Sequence, residues 1–329
     1  MELEERVNKS VVKLLPFCPD GIVHRAASPY LAGETLEEAL QLAAALQRMR
    51  FMFTIDCLGE ESDNVDQWRQ VVKEYCTILE QLREEDPASN ISIKLSHIGL
   101  GKEGLGKRVV LDHVRQVVMK AELRGKFVRF DMEDHERKDA TIQIYQQLRK
   151  EGFMNLGIAL QAYLRSSIED VEDIAALEPK PNVRLCKGIY NPPERIAYKN
   201  PDDIRRNFAL LLSQMLHAGF TVGIATHDEA LIEHAKDLAS DLRLPQESYE
   251  FQMLLGVRPN LAGQMVQNGY RLRLYLPYGN WATQAKPYCF RRFRENPAMV
   301  SHVLHNLLRK EVGGMEAYAE AVNGRYPSR

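Results

Sequence analysis

Four side chains near the C-terminal third of the chain could hold a small zwitterion. Tyr288, Arg291, Arg292 and Glu295 occur within YCFRRFRE, at spacings i, i+3, i+4 and i+7. On a helix that spacing puts an aromatic ring, two guanidiniums and a carboxylate on one face. Arginine forks match a carboxylate in bidentate fashion, and a glutamate one turn on could take an ammonium or hold the arginines. Taken alone, the same cluster also reads as a solvated charged face.

More polar residues recur at the ends of apolar runs. Asp56 and Glu60 follow the first run, and Lys94 and His97 close the second. Asp131, Glu133 and Asp134 follow the third, and Gln161 and Tyr163 the fourth. Arg184, Lys187, Gly188 and Tyr190 belong to the fifth, and Thr226, His227 and Asp228 to the sixth. Glu250 and Gln252 lie in the seventh, Tyr275 in the eighth. Buried strands seldom carry so many ionisable groups unpaired, because a lone buried charge is costly. Each has a plainer reading. Asp131 could cap a helix, Arg184 could bridge to a carboxylate, His227 could be structural, and Glu250 and Gln252 could brace the core. The basic groups Lys94, Arg184, Lys187, Arg291 and Arg292 together suggest an anionic ligand and a phosphate-bearing cofactor.

The elements that position them follow from periodicity. After an N-terminal helical arm (1–48), in which Thr35 and Glu38 resemble a capping box, eight strand-like runs appear. They are 51–56, 91–96, 126–133, 156–163, 183–190, 220–228, 249–256 and 270–277. The runs are nearly continuously apolar, as buried parallel strands are, and each is followed by a helical pattern. Eight βα units in residues 49–329 predict a (β/α)8 TIM-type barrel. A doubly wound open sheet is the alternative, but DCLGEES after the first run lacks a GxGxxG fingerprint. In a barrel, functional residues gather at the C-terminal strand ends and the loops that follow.

The bulk numbers narrow the class. The 329 residues are 45% hydrophobic and 27% charged, an ordinary globular composition. A net charge of −2 gives no basic field for nucleic acid. No apolar run has membrane-spanning length and no charged-then-apolar leader opens the chain, so a soluble, cytoplasmic protein is expected. A surface helix could still touch a membrane. Five scattered cysteines without CxxC spacing point to a reducing compartment, and nine dispersed histidines show no HExxH, so no metal site is expected.

Together these motifs resemble the proline dehydrogenase family, both its monofunctional bacterial form and the same domain of proline utilization A. The resemblance rests on DCLGE (56–60), SIKLS (92–96), Asp131-Met132-Glu133 and LQAY (160–163). It continues through VRLCKGIY (183–190), ATHD (225–228), EFQMLLG (250–256), YLPYG (275–279) and YCFRRFRE (288–295). Cys186 and Ile189 stand where the family motif carries valine and alanine. The resemblance implies oxidation of L-proline to Δ1-pyrroline-5-carboxylate with noncovalent FAD, hydride passing from the ring carbon to flavin N5. Electrons would go on to a membrane quinone, with peripheral contact at the inner membrane. A Δ1-pyrroline-5-carboxylate dehydrogenase would act downstream. Carried over by position, Lys94, Arg291 and Arg292 would clamp the proline carboxylate. Tyr190, Leu254, Tyr275 and Tyr288 would wall the ring. Glu295 would orient Arg292 or the amine, and Glu60 would pair with Arg291 as a gate. Arg184 would approach the flavin and Asp131 would orient Tyr275 or Lys94. Met132, Gln161, Lys187, Gly188, Ile189, Thr226 and His227 would hold the FAD. The residues alone leave open a different flavin enzyme on a barrel, such as a folate-using reductase, or a noncatalytic anion-binding barrel.

Overall fold

The computed structural model describes residues 18–59, 61, 64–83, 89–101, 107–295 and 315–322, with the backbone path alone for 26, 107, 291–295, 315–317 and 322. Eight strands alternate with helices in it. They are β1 (Met52–Cys57), β2 (Ser89–Ile93), β3 (Phe127–Phe130), β4 (Leu156–Gln161), β5 (Asn182–Cys186), β6 (Thr221–Ala225), β7 (Tyr249–Leu254) and β8 (Leu272–Tyr278). Their order is that of a closed barrel, β1 to β8 in sequence. The ladders from β2 to β7 are parallel where paired, and β1 pairs with β8 in parallel register, Met52 opposite Arg273 and Cys57 opposite Tyr278. The expected TIM-type barrel is the observed fold.

Composition explains the strands. Ile91, Ile93, Val128, Phe130, Ile158, Val183, Leu185, Val222, Ile224 and Phe251 are all fully buried. Such side chains each contribute about 1.5–3 kcal/mol when withdrawn from water, and β-branched residues suit the pleat. The helices follow ordinary start signals. Asn64 accepts from Asp66 N at the head of α3 (Val65–Gln81), and Asn200 from Asp202 N at α7 (Pro201–His217). Before β1 lie α1 (Asp20–Ala27) and α2 (Leu36–Arg48), and Thr35 and Glu38 form the capping box that their spacing predicts. Between α3 and α7 come α4 (Lys107–Leu123), α5 (Lys138–Lys150) and α6 (Ser167–Ala175), one after each of β2, β3 and β4. Later come α8 (Glu229–Asp241), the short α9 (Pro259–Gln267), α10 (Lys286–Glu295) and α11 (Met315–Val322). No helix among the described residues is long and apolar enough to cross a membrane.

By contact density the chain divides into two units, residues 61–252 and the remainder. The first holds β2 to β6 and most of β7. The second holds β1, β8 and the terminal helices.

One expectation shifts. The hydrogen-bonded strands are shorter than the apolar runs. β2 stops at Ile93, whose partner Phe130 is the last residue of β3. Lys94 therefore lies just past the strand, at the head of a 3-10 turn, Leu95–Ile98. Tyr163, Lys187, Gly188, Ile189, Tyr190, Thr226 and His227 likewise fall beyond their strands. Apolar character continues into these loops because the loops are themselves packed. The ladder ends where its neighbour ends.

Candidate active site

Within residues 61–252, one chain of polar contacts crosses the inside of the strand ladder. Arg184, in the middle of β5, is 7% exposed. Its Nη1 donates to Asp131 Oδ1 at 2.6 Å and to Ser92 Oγ at 3.1 Å, and its Nε donates to Gln252 Oε1 at 2.6 Å. Ser92 is on β2, Asp131 directly follows β3 and Gln252 is on β7. None of these strands neighbours β5, so the guanidinium reaches them across the inner face. Gln252 Nε2 donates in turn to Glu250 Oε1 at 2.7 Å. At the other end, Asp131 Oδ2 lies 3.5 Å from Lys94 Nζ. Two cations thus flank one carboxylate just above the C-terminal strand ends, with both side chains of the Lys94–Asp131 pair under one-fifth exposed.

Two conformational requirements shape this network. Gly223 on β6 sits beside Arg184 in register, and a Cβ there would come within 2.3 Å of Gln252 Nε2. The missing side chain is the space that Gln252 occupies. In the loop after β5, Gly188 has φ +103°, and a Cβ would lie 2.2 Å from the Tyr163 ring. Lys187 O accepts from Tyr163 N at 2.8 Å, so the β4 and β5 ends remain zipped up to that glycine.

Gln161 closes β4. Its Nε2 donates to the carbonyls of Met132 and Glu133, at 3.3 and 3.1 Å, which fixes the amide's orientation. Oε1 is then buried with no hydrogen-bond partner among the described residues. A buried acceptor left open in this way has room for a further donor. Met132 is itself buried, and Ile189 is half-buried. Cys186 Sγ donates to Leu160 O at 3.4 Å.

A second charged group forms beyond β5 and β6. Asp228 Oδ2 accepts from Lys187 Nζ at 2.6 Å and from Arg205 Nε at 2.7 Å, while Oδ1 caps α8 through Ala230 N. Burial pushes its carboxyl up, but the hydrogen bonds from Arg205 and Lys187 prevail and bring it down to about 2. Thr226 Oγ1 accepts from Asp228 N at 3.1 Å, and His227 beside it is half-buried. Tyr190 is exposed.

In the other unit, Leu254 and Tyr275 are half-buried on β7 and β8. Leu255 N donates to Tyr275 O at 3.2 Å. A π-helical turn, Trp281–Ala285, leads into α10. Tyr288 on α10 is buried in a cluster with Val23, Ala27, Tyr30, Leu31, Leu58, Trp281, Ala285 and Cys289. Asp20 of α1 accepts from Trp281 Nε1 at 3.0 Å and pairs with Lys286 at 2.7 Å. The helical spacing of Tyr288, Arg291, Arg292 and Glu295 is realised in the α10 backbone. The side chains of Arg291, Arg292 and Glu295, and the whole of Glu60, lie outside the described residues, so the carboxylate clamp and the gate are not drawn there.

The sequence-derived residues Lys94, Asp131 and Arg184 are therefore brought together, and Lys187 is drawn to Asp228. Asp131 caps no helix, for the residue before α5 is Arg137. It is paired with Lys94, one of its two expected partners, and with Arg184. Ser92, Gln252 and Glu250 complete the line, although no local pattern marks them as Arg184's neighbours. A carboxylate between two cations cannot itself attract an anion. It holds the lysine and arginine in place. No cluster of three or more potential metal ligands occurs among the described residues.

The family model for proline dehydrogenase matches residues 39–305. Proline dehydrogenase 1 of Bacillus subtilis subsp. natto is 35% identical over 285 residues, 86% of this chain and 91% of the relative. Proline dehydrogenase of Deinococcus radiodurans is also 35% identical, over 86% of this chain and 90% of its own. Among solved structures, proline utilization A from Bdellovibrio bacteriovorus, inactivated by N-propargylglycine, superposes with a TM-score of 0.77 at 25% identity. That match covers 92% of this chain but only 36% of the larger protein. With a barrel of this order, polar residues at its strand ends and relatives matched over nearly their full length, the chain belongs to the proline dehydrogenase family, oxidoreductases acting on proline.

Proposed function

We propose that this chain oxidises L-proline to Δ1-pyrroline-5-carboxylate with FAD as its cofactor. The observation that carries the reading is the ion-paired and hydrogen-bonded line Lys94–Asp131–Arg184–Gln252–Glu250. It fixes two cations at the C-terminal strand ends, where barrel enzymes work. FAD suits these residues on a structural ground, because the open acceptor Gln161 Oε1 would be satisfied by a ring N–H of the flavin. Met132, Gln161, Arg184, Lys187, Gly188, Ile189, Thr226 and His227 would hold it. When bound, FAD supplies the two-electron acceptor that no side chain of the protein can provide.

The remaining chemistry is positioning. Lys94, with Arg291 and Arg292, takes the proline carboxylate. Asp131 keeps the Lys94 ammonium from swinging away, so the charge is in place before substrate arrives. Tyr190, Leu254, Tyr275 and Tyr288 wall the ring, and apolar walls exclude the water that would screen the clamp. Glu295 orients Arg292 or the amine, and Glu60 closes against Arg291. Arg184 places a fixed positive charge where negative charge develops on the acceptor. Two electrons and one proton leave the ring carbon together, and the nitrogen must already have shed its second proton. The rate therefore rises with pH through the titration of the bound amine.

In this reading residues 1–48 are an arm to the barrel of 49–329, and a membrane quinone takes the electrons onward by peripheral contact. A Δ1-pyrroline-5-carboxylate dehydrogenase consumes the product. The test is direct. Purified protein should be yellow, and anaerobic L-proline should bleach its visible absorbance. A protein that carries flavin yet stays yellow with proline refutes the substrate, and a colourless protein that takes up no FAD refutes the cofactor.

A further inference from the structure

Glu133 is a buried carboxyl that no step above uses. It is 6% exposed and follows β3 by three residues. Its Oε1 accepts from Ser96 N at 3.0 Å, and its Oε2 makes a short contact with Ser96 Oγ. Ser96 is itself 1% exposed and lies in the 3-10 turn directly after Lys94. The turn also has main-chain bonds, His97 N to Lys94 O at 3.2 Å and Leu100 N to Leu95 O at 2.9 Å. It is four residues long, ends at Gly99 with φ +106°, and rests on the Trp68 ring, which a Cβ at Gly99 would meet at 2.9 Å. Lys94 N donates to Tyr75 Oη at 3.3 Å. The main chain at Glu133 faces the opposite way, because its carbonyl accepts from Gln161 Nε2 at 3.1 Å. One residue thus grips the turn behind Lys94 with its side chain and the amide at the cofactor end with its backbone.

We infer that Glu133 is a positioning residue, whose carboxyl locks the turn after β2 and so sets where the Lys94 ammonium meets the substrate. The inference rests on the reading of Lys94 as part of the carboxylate clamp. The physical case is one of preorganisation. Hydrogen bonds within a 3-10 turn have poorer geometry than those of an α-helix, and Lys94 lies at the N-terminal cap of this one. Asp131 fixes the far end of the lysine side chain and Glu133 the backbone root, so loss of either frees one end. Burial pushes the Glu133 carboxyl up, against the Ser96 hydrogen bonds and the charges of Lys94 and Arg137. The group therefore sits where a neutral amide can replace it with little loss.

The test compares Glu133→Ala, Glu133→Gln and Ser96→Ala, each with and without Lys94→Ala. Glu133→Ala should raise the KM for L-proline about tenfold while kcat changes about twofold or less, the size expected for one lost buried hydrogen-bond pair. Glu133→Gln should restore KM to within about threefold, since the carboxamide keeps an acceptor for Ser96 N and a partner for Ser96 Oγ. Ser96→Ala, which leaves the carboxyl in place, should fall between them. In the Lys94→Ala background the Glu133→Ala effect on KM should vanish. An effect that persists undiminished beside Lys94→Ala overturns the inference and leaves the clamp standing. So does an unchanged KM in a folded Glu133→Ala protein whose Lys94→Ala counterpart is impaired. An unchanged KM in Lys94→Ala alone overturns both.

Discussion

Two buried arginines on the same ladder show how differently one residue type can be used. Arg129 on β3 is 2% exposed and Arg184 on β5 is 7% exposed. Arg129 donates to main-chain carbonyls, Ile158 O at 3.2 Å and Asn182 O at 2.8 Å, and to the Asn182 amide. It also lies over the Phe127 ring at 5.0 Å. Its register partner Gly157 is near the start of β4, so it braces the N-terminal end of the strands. Arg184 instead donates to side chains on two other strands and to the carboxylate of Asp131, just past a third. Bonds to fixed carbonyls make a rivet. Bonds to a carboxylate, a hydroxyl and an amide hold a charge whose field depends on those three groups. In a barrel the lower end confers stability and the upper end function, and these two arginines fall on either side of that division.

The sharpest way to break this contrast is to remove each guanidinium while keeping its bulk. Arg184→Met should lower kcat/KM by about two to three orders of magnitude, the usual scale for a preorganised charge at a reacting centre. Asp131 then loses its 2.6 Å bond to the guanidinium, so a modest loss of stability accompanies it. Arg129→Met should do the reverse. It strands carbonyls in the core and lowers Tm by roughly 5–10 °C, with kcat/KM unchanged within about twofold per folded molecule. Steady-state kinetics and thermal melts on the two variants decide the matter. Equal losses of activity in both would erase the distinction.

Two glycines allow the same contrast at smaller amplitude. A Cβ on Gly157 would lie 2.5 Å from both Arg129 Nη1 and the Asn182 carbonyl, and the backbone there cannot yield cheaply. A Cβ on Gly223 would meet only the amide end of Gln252, at 2.3 Å for Nε2 and 2.8 Å for the amide carbon, and that side chain can swing aside. Gly157→Ala should therefore cost about 2–3 kcal/mol of stability, the scale of overpacking in a core, and leave the kinetics of the folded protein alone. Gly223→Ala should fold well but detach Gln252 from Arg184, reducing kcat/KM about tenfold. Denaturant melts and kinetics on the pair would expose a failure if the assignments were reversed.

Most of this division was legible before the fold was known, and the exceptions have a physical reason. Apolar runs located all eight strands, because parallel strands buried on both faces carry unbroken hydrophobic sequence. The helix face of Tyr288, Arg291, Arg292 and Glu295 was legible from spacing alone. What spacing could not supply was pairing across the barrel. Ser92 and Gln252 meet through Arg184 although 92 and 68 residues separate them from it. Closure of the ladder creates those contacts, and no local pattern encodes them. The same blindness hid the pairing of Glu133, whose partner Ser96 lies 37 residues earlier. It also left Lys94 inside a strand, because apolar character does not say where the neighbouring strand ends.

Two carboxylates provide the finest test of the contrast. Glu151, on the outer surface, is brought down to about 2 by hydrogen bonds from Arg115, whose Nε and Nη2 reach it at 2.8 and 2.6 Å. Asp228, beyond the strand ends, reaches a similar value against the pull of burial. Both are depressed below their unfolded values. Each therefore contributes stability that is fully present above about pH 4 and is lost as pH falls toward 2. Urea unfolding between pH 5 and pH 2 should show a flatter acid limb in Glu151→Gln and in Asp228→Asn, by about 1 kcal/mol or less each after solvent screening. At neutral pH the two should part. Glu151→Gln should leave flavin retention and proline oxidation as they were. Asp228→Asn frees Lys187 and Arg205 from a shared anion, and since Lys187 belongs to the proposed cofactor contacts, FAD affinity should change by about three- to tenfold. Fluorescence titration of released flavin measures it. If the two variants match in both flavin affinity and acid stability, proximity to the strand ends gives Asp228 no role that a surface ion pair lacks.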